Sequence, residues 1–142
     1  SPPPLSTLPM PGAAGLLLWH GDRVLLQHRA LWSHHGGTWG ILGGARNHGE
    51  TAEQAAGREA GEEAGLDPAS YTVTDRFVDD HGGWSYTTVI ACTDTAPELE
   101  GLTAETIAVR WVGADALHEL PLHPGFAASW EQVSAAARRG RG

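Results

Sequence analysis

Apolar positions along this chain fall into runs of different period, and the periods predict the elements. Residues 13–19 are continuously apolar, and residues 24–28 begin apolar after the turn-prone His20-Gly21-Asp22-Arg23. Two such runs around a short polar turn predict a β-hairpin. Residues 30–49 are dense in glycine, histidine and tryptophan, which predicts a loop built around a short strand at 38–42. Residues 51–64 give the strongest helical pattern. Thr51-Ala52-Glu53-Gln54 fits a capping box, Gly65 fits the position just past a helix end, and Asp67-Pro68 blocks continuation. Strands are predicted at 71–78 and 86–92 around a turn at His81-Gly82-Gly83, and again at 107–112. A short helix is expected at 115–119 and a terminal helix at 126–138. Mixed strands with two or three helices indicate an α/β or α+β layered domain.

Length and charge narrow the picture. The chain has 142 residues, enough for one domain with its own core. The expected organisation is a proline-rich arm at 1–11, a domain at 12–138, and a fraying basic tail at 139–142. Acidic residues outnumber basic ones 17 to 9, for a formal charge of −8. That balance argues against a nucleic-acid polymer as partner, because such binding needs a positive footprint. It is compatible with a small anionic ligand when metal ions mediate the contact. The single cysteine, Cys92, forms no internal disulfide, and no apolar run is long enough to span a bilayer. The N-terminal residues lack the basic and apolar regions of a signal peptide. The expectation is a cytoplasmic protein without a membrane partner.

The chemistry concentrates in residues 44–66, GARNHGETAEQAAGREAGEEAGL. Glu59, Glu62 and Glu63 stand at i, i+3 and i+4, within roughly a 100° arc of one helix. Like charges at this spacing repel by a few tenths of a kcal/mol per pair. A divalent cation would offset that cost, because hard cations such as Mg²⁺ prefer carboxylate oxygens and bring phosphate oxygens with them. The competing reading is a solvated acidic helix face. The opposite face carries Ala56, Gly57, Ala60, Gly61 and Ala64, which predicts close packing with the carboxylates aimed outward. Gly43-Gly44 and Gly49 flank the helix start, where backbone can approach an anion. Arg58 can pair with Glu50 or orient a metal-binding carboxylate.

Gly44, Glu50, Arg58, Glu59, Glu62, Glu63, Gly65 and Leu66, with Ala60 in the small position, match every fixed position of the Nudix box. The chain therefore resembles the Nudix hydrolases. The resemblance implies the Nudix fold, a mixed β-sheet between helices with the box as loop-helix-loop. It implies that Glu59, Glu62 and Glu63 bind Mg²⁺ or Mn²⁺, with Glu62 and Glu63 as the direct ligands and the Gly43 carbonyl as another. It also implies an Arg58–Glu50 salt bridge and a further glutamate before a late strand. Glu105 resembles that glutamate, with Glu98 and Glu100 as weaker candidates and an exposed loop residue as the rival reading. Glu62, Glu63 and Glu105 are the candidate general bases. Two positions depart from many relatives: Leu42 stands where they have proline, and Asn47 where they have glutamate.

The implied reaction is Mg²⁺-dependent hydrolysis of a diphosphate bond in a nucleotide. The MutT-like branch, which converts a nucleoside triphosphate to monophosphate and pyrophosphate, is the first choice, with oxidised nucleotides included. ADP-ribose or a nucleoside diphosphate sugar is the alternative substrate class, and a non-catalytic nucleotide sensor is the alternative of another kind. Trp32, Trp39, Trp84 and Tyr86 are candidates to stack on a base. Trp39 reads more readily as a packing anchor, and Tyr86 as either. Arg29, His34 and His35 are candidates for phosphate or base contacts, and Asp79-Asp80-His81 for base contacts or turn chemistry. Gly44 is expected to approach substrate through its backbone. A homodimer is compatible with the resemblance, although no stretch of the sequence marks an interface.

Overall fold

The computed structural model describes residues 12–32, 35–80, 82, 84–97 and 106–141. The expected arm at 1–11 lies outside them, as do His34, His81, Glu98, Glu100 and Glu105. Among the described residues, seven strands and two longer helices follow in order: β1 (Gly12–His20), β2 (Arg23–Arg29), β3 (Trp39–Gly40), β4 (Leu42–Ala45), α1 (Ala52–Ala64), β5 (Thr72–Asp80), β6 (Ser85–Cys92), β7 (Thr106–Gly113) and α2 (Pro124–Arg141). Short 3-10 turns occupy Pro68–Ser70 and Ala114–Glu119.

β1 is the pivot of the sheet. It runs parallel to β6 from Gly12↔Ser85 to Trp19↔Cys92, and antiparallel to β4 from Ala13↔Ala45 to Leu16↔Leu42. The predicted hairpin is present, but β1 and β2 pair at Trp19↔Val24 and His20↔Arg23 and then separate. β2 continues against β7 on one side and β3 on the other. The single strand expected at 38–42 is therefore two. Ile41 is the break, with Trp39–Gly40 paired to β2 and Leu42–Ala45 paired to β1. A two-residue period cannot reveal this, because it is blind to a change of partner. The glycine pair Gly43-Gly44 thus belongs to a strand, whereas the sequence suggested a loop at the helix start.

Helices cover both faces. Leu16, Leu18, Leu42 and Val89 pack against Ala55, Ala56, Ala60 and Ala64 of α1. Leu17, Trp19, Leu26 and Ile90 face Phe126 and Val133 of α2. Being covered on both sides explains why β1 reads as a continuous apolar run. Leu42, at the place of the family proline, is buried in the α1 core and opens β4. Trp39 is the packing anchor foreseen for it: it stacks on His28 at 4.3 Å, and its backbone exchanges hydrogen bonds with Pro121 and His123. The terminal helix is longer at both ends than its apolar period marks, running through Arg141. Among the described residues, no helix is long and apolar enough to cross a membrane.

α1 begins and ends as its sequence dictates. The Thr51 hydroxyl accepts from Gln54 N–H at 3.1 Å, and the Gln54 side chain accepts from Thr51 N–H at 2.9 Å. Gly65 closes the helix in the left-handed region at φ 71°. The two α1 glycines differ from each other. A methyl group on buried Gly57 would sit 3.1 Å from the Tyr71 hydroxyl, whereas at Gly61 the nearest atom is the Leu66 carbonyl at 3.4 Å. Close packing thus accounts for Gly57 and leaves Gly61 without a steric reason. Gly43 is the tightest backbone approach in the sheet beside α1, where a Cβ would lie 2.5 Å from the Ala14 carbonyl oxygen.

Gly61→Ala should therefore stabilise the fold by up to about 1 kcal/mol, the helix-propensity difference. Gly43→Ala should destabilise it by about 1–3 kcal/mol through overpacking against backbone that cannot yield. Urea unfolding of the two variants checks both signs.

Candidate active site

Arg58 organises the entry to α1. Its Nε and Nη2 donate to the two oxygens of Glu50 at 2.9 and 3.0 Å, and Nη2 also donates to the Ala45 carbonyl at 2.9 Å. Nη1 donates to Glu59 at 2.9 Å and more distantly to Glu62 at 3.5 Å. The Glu50–Arg58 pair anticipated from the sequence is formed, and it ties residues 45–50 onto the helix. The guanidinium lowers the Glu50 pKa below the usual carboxylate value, and the Asn47 N–H adds to that effect. Glu50 in turn raises the Arg58 pKa. Asn47 enters through its backbone, donating to Glu50 at 2.7 Å.

The three helix glutamates do not share one environment. Glu62 is mostly exposed, Glu59 is largely covered, and Glu63 is buried at 8% exposure. This corrects the expectation that all three point outward. At 100° per residue, Glu63 continues the row of Ala56 and Ala60, so it lies at the margin of the buried face. Its Oε1 accepts from Gly43 N–H at 2.8 Å and its Oε2 from Gln27 Nε2 at 3.0 Å. Burial pushes its pKa up to about 7; the two hydrogen bonds act against that shift, Glu59 adds to it, and Arg29 opposes it. Glu59 lies against Gly44, where a Cβ would stand 2.7–2.9 Å from its carboxylate atoms. The two glycines therefore have separate tasks. Gly43 supplies an N–H to Glu63, and Gly44 leaves room for Glu59.

Both carboxylates open into one cleft of about 780 Å³ between the sheet and the start of α2. Of the expected substrate contacts, Arg29, His35, Gly44, Trp84 and Tyr86 all line it. Glu50, Arg58 and Glu62 are not among its lining residues. Trp32 is 76% exposed and not part of the lining. Asp79 does line it, with Phe77 beside it along β5 and Tyr86 opposite across the β5–β6 ladder. The Tyr86 hydroxyl reaches over Gly15, where a Cβ would be 2.2 Å away. Burial is the main cause that raises its pKa, and the Glu63 charge adds to it. His35, at φ 56°, meets the ring of His123 edge-on at 4.6 Å. That left-handed conformation is uncommon for residues other than glycine, although histidine is among the side chains that adopt it more readily.

Sequence reasoning missed Gln27, Phe77, His123 and Phe126. Gln27 did carry a signal, as an amide closing the apolar run Val24-Leu25-Leu26. His123 carried none, because a contact across 88 residues with His35 leaves no local pattern. Among the described residues, no three histidine, cysteine, aspartate or glutamate side chains already form a closed metal cage. The donor chemistry nonetheless fits a hard divalent cation, with two carboxylates converging on one cleft and the buried one held by neutral donors.

Comparison with known proteins agrees with this geometry. The NUDIX domain model matches residues 9–139. A protein of Mycobacterium tuberculosis named "Putative 8-oxo-dGTP diphosphatase 3" is 50% identical across 88% of this chain. The chain spans 62% of that relative's length. A "Nucleoside triphosphate pyrophosphatase/Nudix hydrolase fusion protein" of Bifidobacterium longum is 37% identical, with 87% of this chain and 28% of the relative covered. The crystal structure of RenU, a Nudix hydrolase from M. smegmatis, superposes with a TM-score of 0.82 at 46% identity, covering 90% of this chain and 86% of that one. With an intact box, the mixed sheet between helices and a family match over nearly its whole length, the chain belongs to the Nudix family.

Proposed function

We propose that this chain hydrolyses a nucleoside triphosphate of the 8-oxo-dGTP class to the monophosphate and pyrophosphate, with Mg²⁺ or Mn²⁺ as cofactor. One observation carries the reading: a single cleft holds Glu59 and Glu63 beside Gly43-Gly44 and also presents the rings of Phe77, Trp84 and Tyr86. Carboxylates suit a metal-bound diphosphate, and aromatic faces suit a base, at about 1–3 kcal/mol per stacked ring. The name of the M. tuberculosis relative favours an oxidised guanine nucleotide.

In this mechanism Glu59 and Glu63 would hold the cation, with Glu62 beside them on α1 and Glu105 as a further candidate ligand. The bound cation supplies charge neutralisation at the diphosphate and lowers the pKa of water. Arg29 and His35, which line the same cleft, would meet phosphate oxygens. Trp84 and Tyr86 orient the base end. A water oxygen forms a bond to phosphorus, and the P–O bond of the bridge between α- and β-phosphates breaks. The bridging oxygen goes with the group that leaves, so that monophosphate and pyrophosphate result, and the water's proton passes to a carboxylate of the cluster. Arg58 and Glu50 touch none of these atoms; they hold the helix entry and the Glu59 carboxylate in place.

The test is product analysis with Mg²⁺ and a panel of 8-oxo-dGTP, canonical triphosphates, ADP-ribose and nucleotide sugars. Monophosphate plus pyrophosphate from 8-oxo-dGTP is the expected result; turnover confined to ADP-ribose or a nucleotide sugar would overturn the substrate assignment. Glu63→Gln should lower kcat by about three orders of magnitude, since it removes an anionic ligand at the reacting centre. Unaltered turnover in that variant would remove Glu63 from the site.

The raised pKa of Glu63 gives a second test, in EDTA. Its carboxyl titrates near 4.5 when unperturbed and at about 7 in the folded protein. Between those values the folded state holds the extra proton, so this group's contribution to stability falls as pH rises and levels off above pH 7. The shift corresponds to about 3 kcal/mol. Glu63→Gln lacks the titration, so its stability relative to the parent should rise by up to that amount from pH 4.5 to 8. Parallel pH profiles from urea unfolding would contradict the assignment.

A further inference from the structure

Gln27 is the most deeply buried polar side chain near the cleft, at 1% exposure. It sits on β2, opposite Gly40 of β3 and Val109 of β7, directly after three core residues. An amide at such a place costs free energy unless it is hydrogen-bonded, so its presence calls for a physical reason. Its amide nitrogen bonds Glu63: Nε2 donates to Oε2 at 3.0 Å, while Gly43 N–H holds Oε1 from β4. β2 and β4 are not paired with each other; both flank the place where β1 and β2 part. The Glu63 carboxylate bridges that opening, with one oxygen fixed from each side.

The chemical type of the anchor matters. Each carboxylate oxygen has more than one acceptor direction, so a donor on each leaves further lone pairs for a cation. A lysine or arginine in Gln27's place would form an ion pair with Glu63 and compete with any bound cation. The entry to the same helix shows that alternative, because Arg58 commits Glu50 to a bidentate ion pair. An apolar residue would leave Oε2 without its donor. A neutral amide fixes the carboxylate without cancelling its charge.

We infer that Gln27 is a positioning residue that presents the Glu63 carboxylate to a divalent cation while leaving its negative charge available. The inference rests on the reading of Glu63 as a metal ligand. Partners of this kind, one shell out from a metal, change affinity or activity by about 10–100-fold when replaced.

The test uses Mn²⁺ binding to the full chain by calorimetric titration, for the parent and for Gln27→Met and Gln27→Lys. Thermal unfolding in EDTA reports folding, and steady-state kinetics with 8-oxo-dGTP gives kcat and KM separately. Gln27→Met keeps length and apolar packing, so it should remain folded, bind Mn²⁺ about 10–100-fold more weakly and lose kcat with KM for nucleotide unchanged. Gln27→Lys should bind Mn²⁺ still more weakly than Gln27→Met. A folded Gln27→Met variant whose Mn²⁺ affinity and kcat stay within about twofold of the parent would overturn the inference, whatever the behaviour of Gln27→Lys. A parent protein that binds no Mn²⁺ would overturn the metal-ligand reading of Glu63 itself, and this inference with it.

Discussion

Burying a carboxylate is expensive unless hydrogen-bond donors replace the water it loses, and Glu63 is where this chain meets that cost. The Gly43 N–H and the Gln27 amide provide the replacement. Both donors depend on the backbone around them. Position 43 is glycine because β4 lies so close to β1 that no side chain fits there, and its N–H faces Glu63. Gln27 is in reach because β2 leaves β1 after a short pairing, which opens the sheet beside α1. The path of the central strands therefore decides where the carboxylate goes.

Charge is distributed along α1 with a matching logic. Arg58 takes Glu50 in a bidentate pair and also reaches Glu59, so the helix entry is locked by a guanidinium with little freedom left. Planar, forked geometry makes arginine suitable for this, and a lysine would hold fewer of the same partners. Glu63, in contrast, is fixed by neutral donors and has a raised pKa. The Glu50 carboxylate is thereby held by a charged partner and the Glu63 carboxylate by neutral ones.

The small side chains of α1 make this arrangement possible. Ala55, Ala56, Ala60 and Ala64 let the helix settle on Leu16, Leu18 and Leu42, which brings Glu59 down onto Gly44. On the other face, α2 and the segment before it close the cleft with His123 and Phe126. The residue pair Trp39–His28 and the backbone bonds from Trp39 to residues 121 and 123 hold that segment against β3. The aromatic side of the cleft therefore stands on packing that is remote from the box in sequence.

Much of this was legible in the sequence because it is local. The capping box at Thr51, the stop at Gly65, the like-charge spacing of Glu59, Glu62 and Glu63, and the Arg58–Glu50 pairing each depend on residues within a few turns of one helix. The continuous apolar run of β1 likewise follows from burial on both faces. Tertiary structure alone decided which glutamate is buried, because that depends on where β2 and β4 bring Gln27 and Gly43. It also decided that 38–42 divides between two partner strands, and that His123 meets His35. Those outcomes are set by contacts between segments distant in the chain, and a local pattern of side chains carries no record of them.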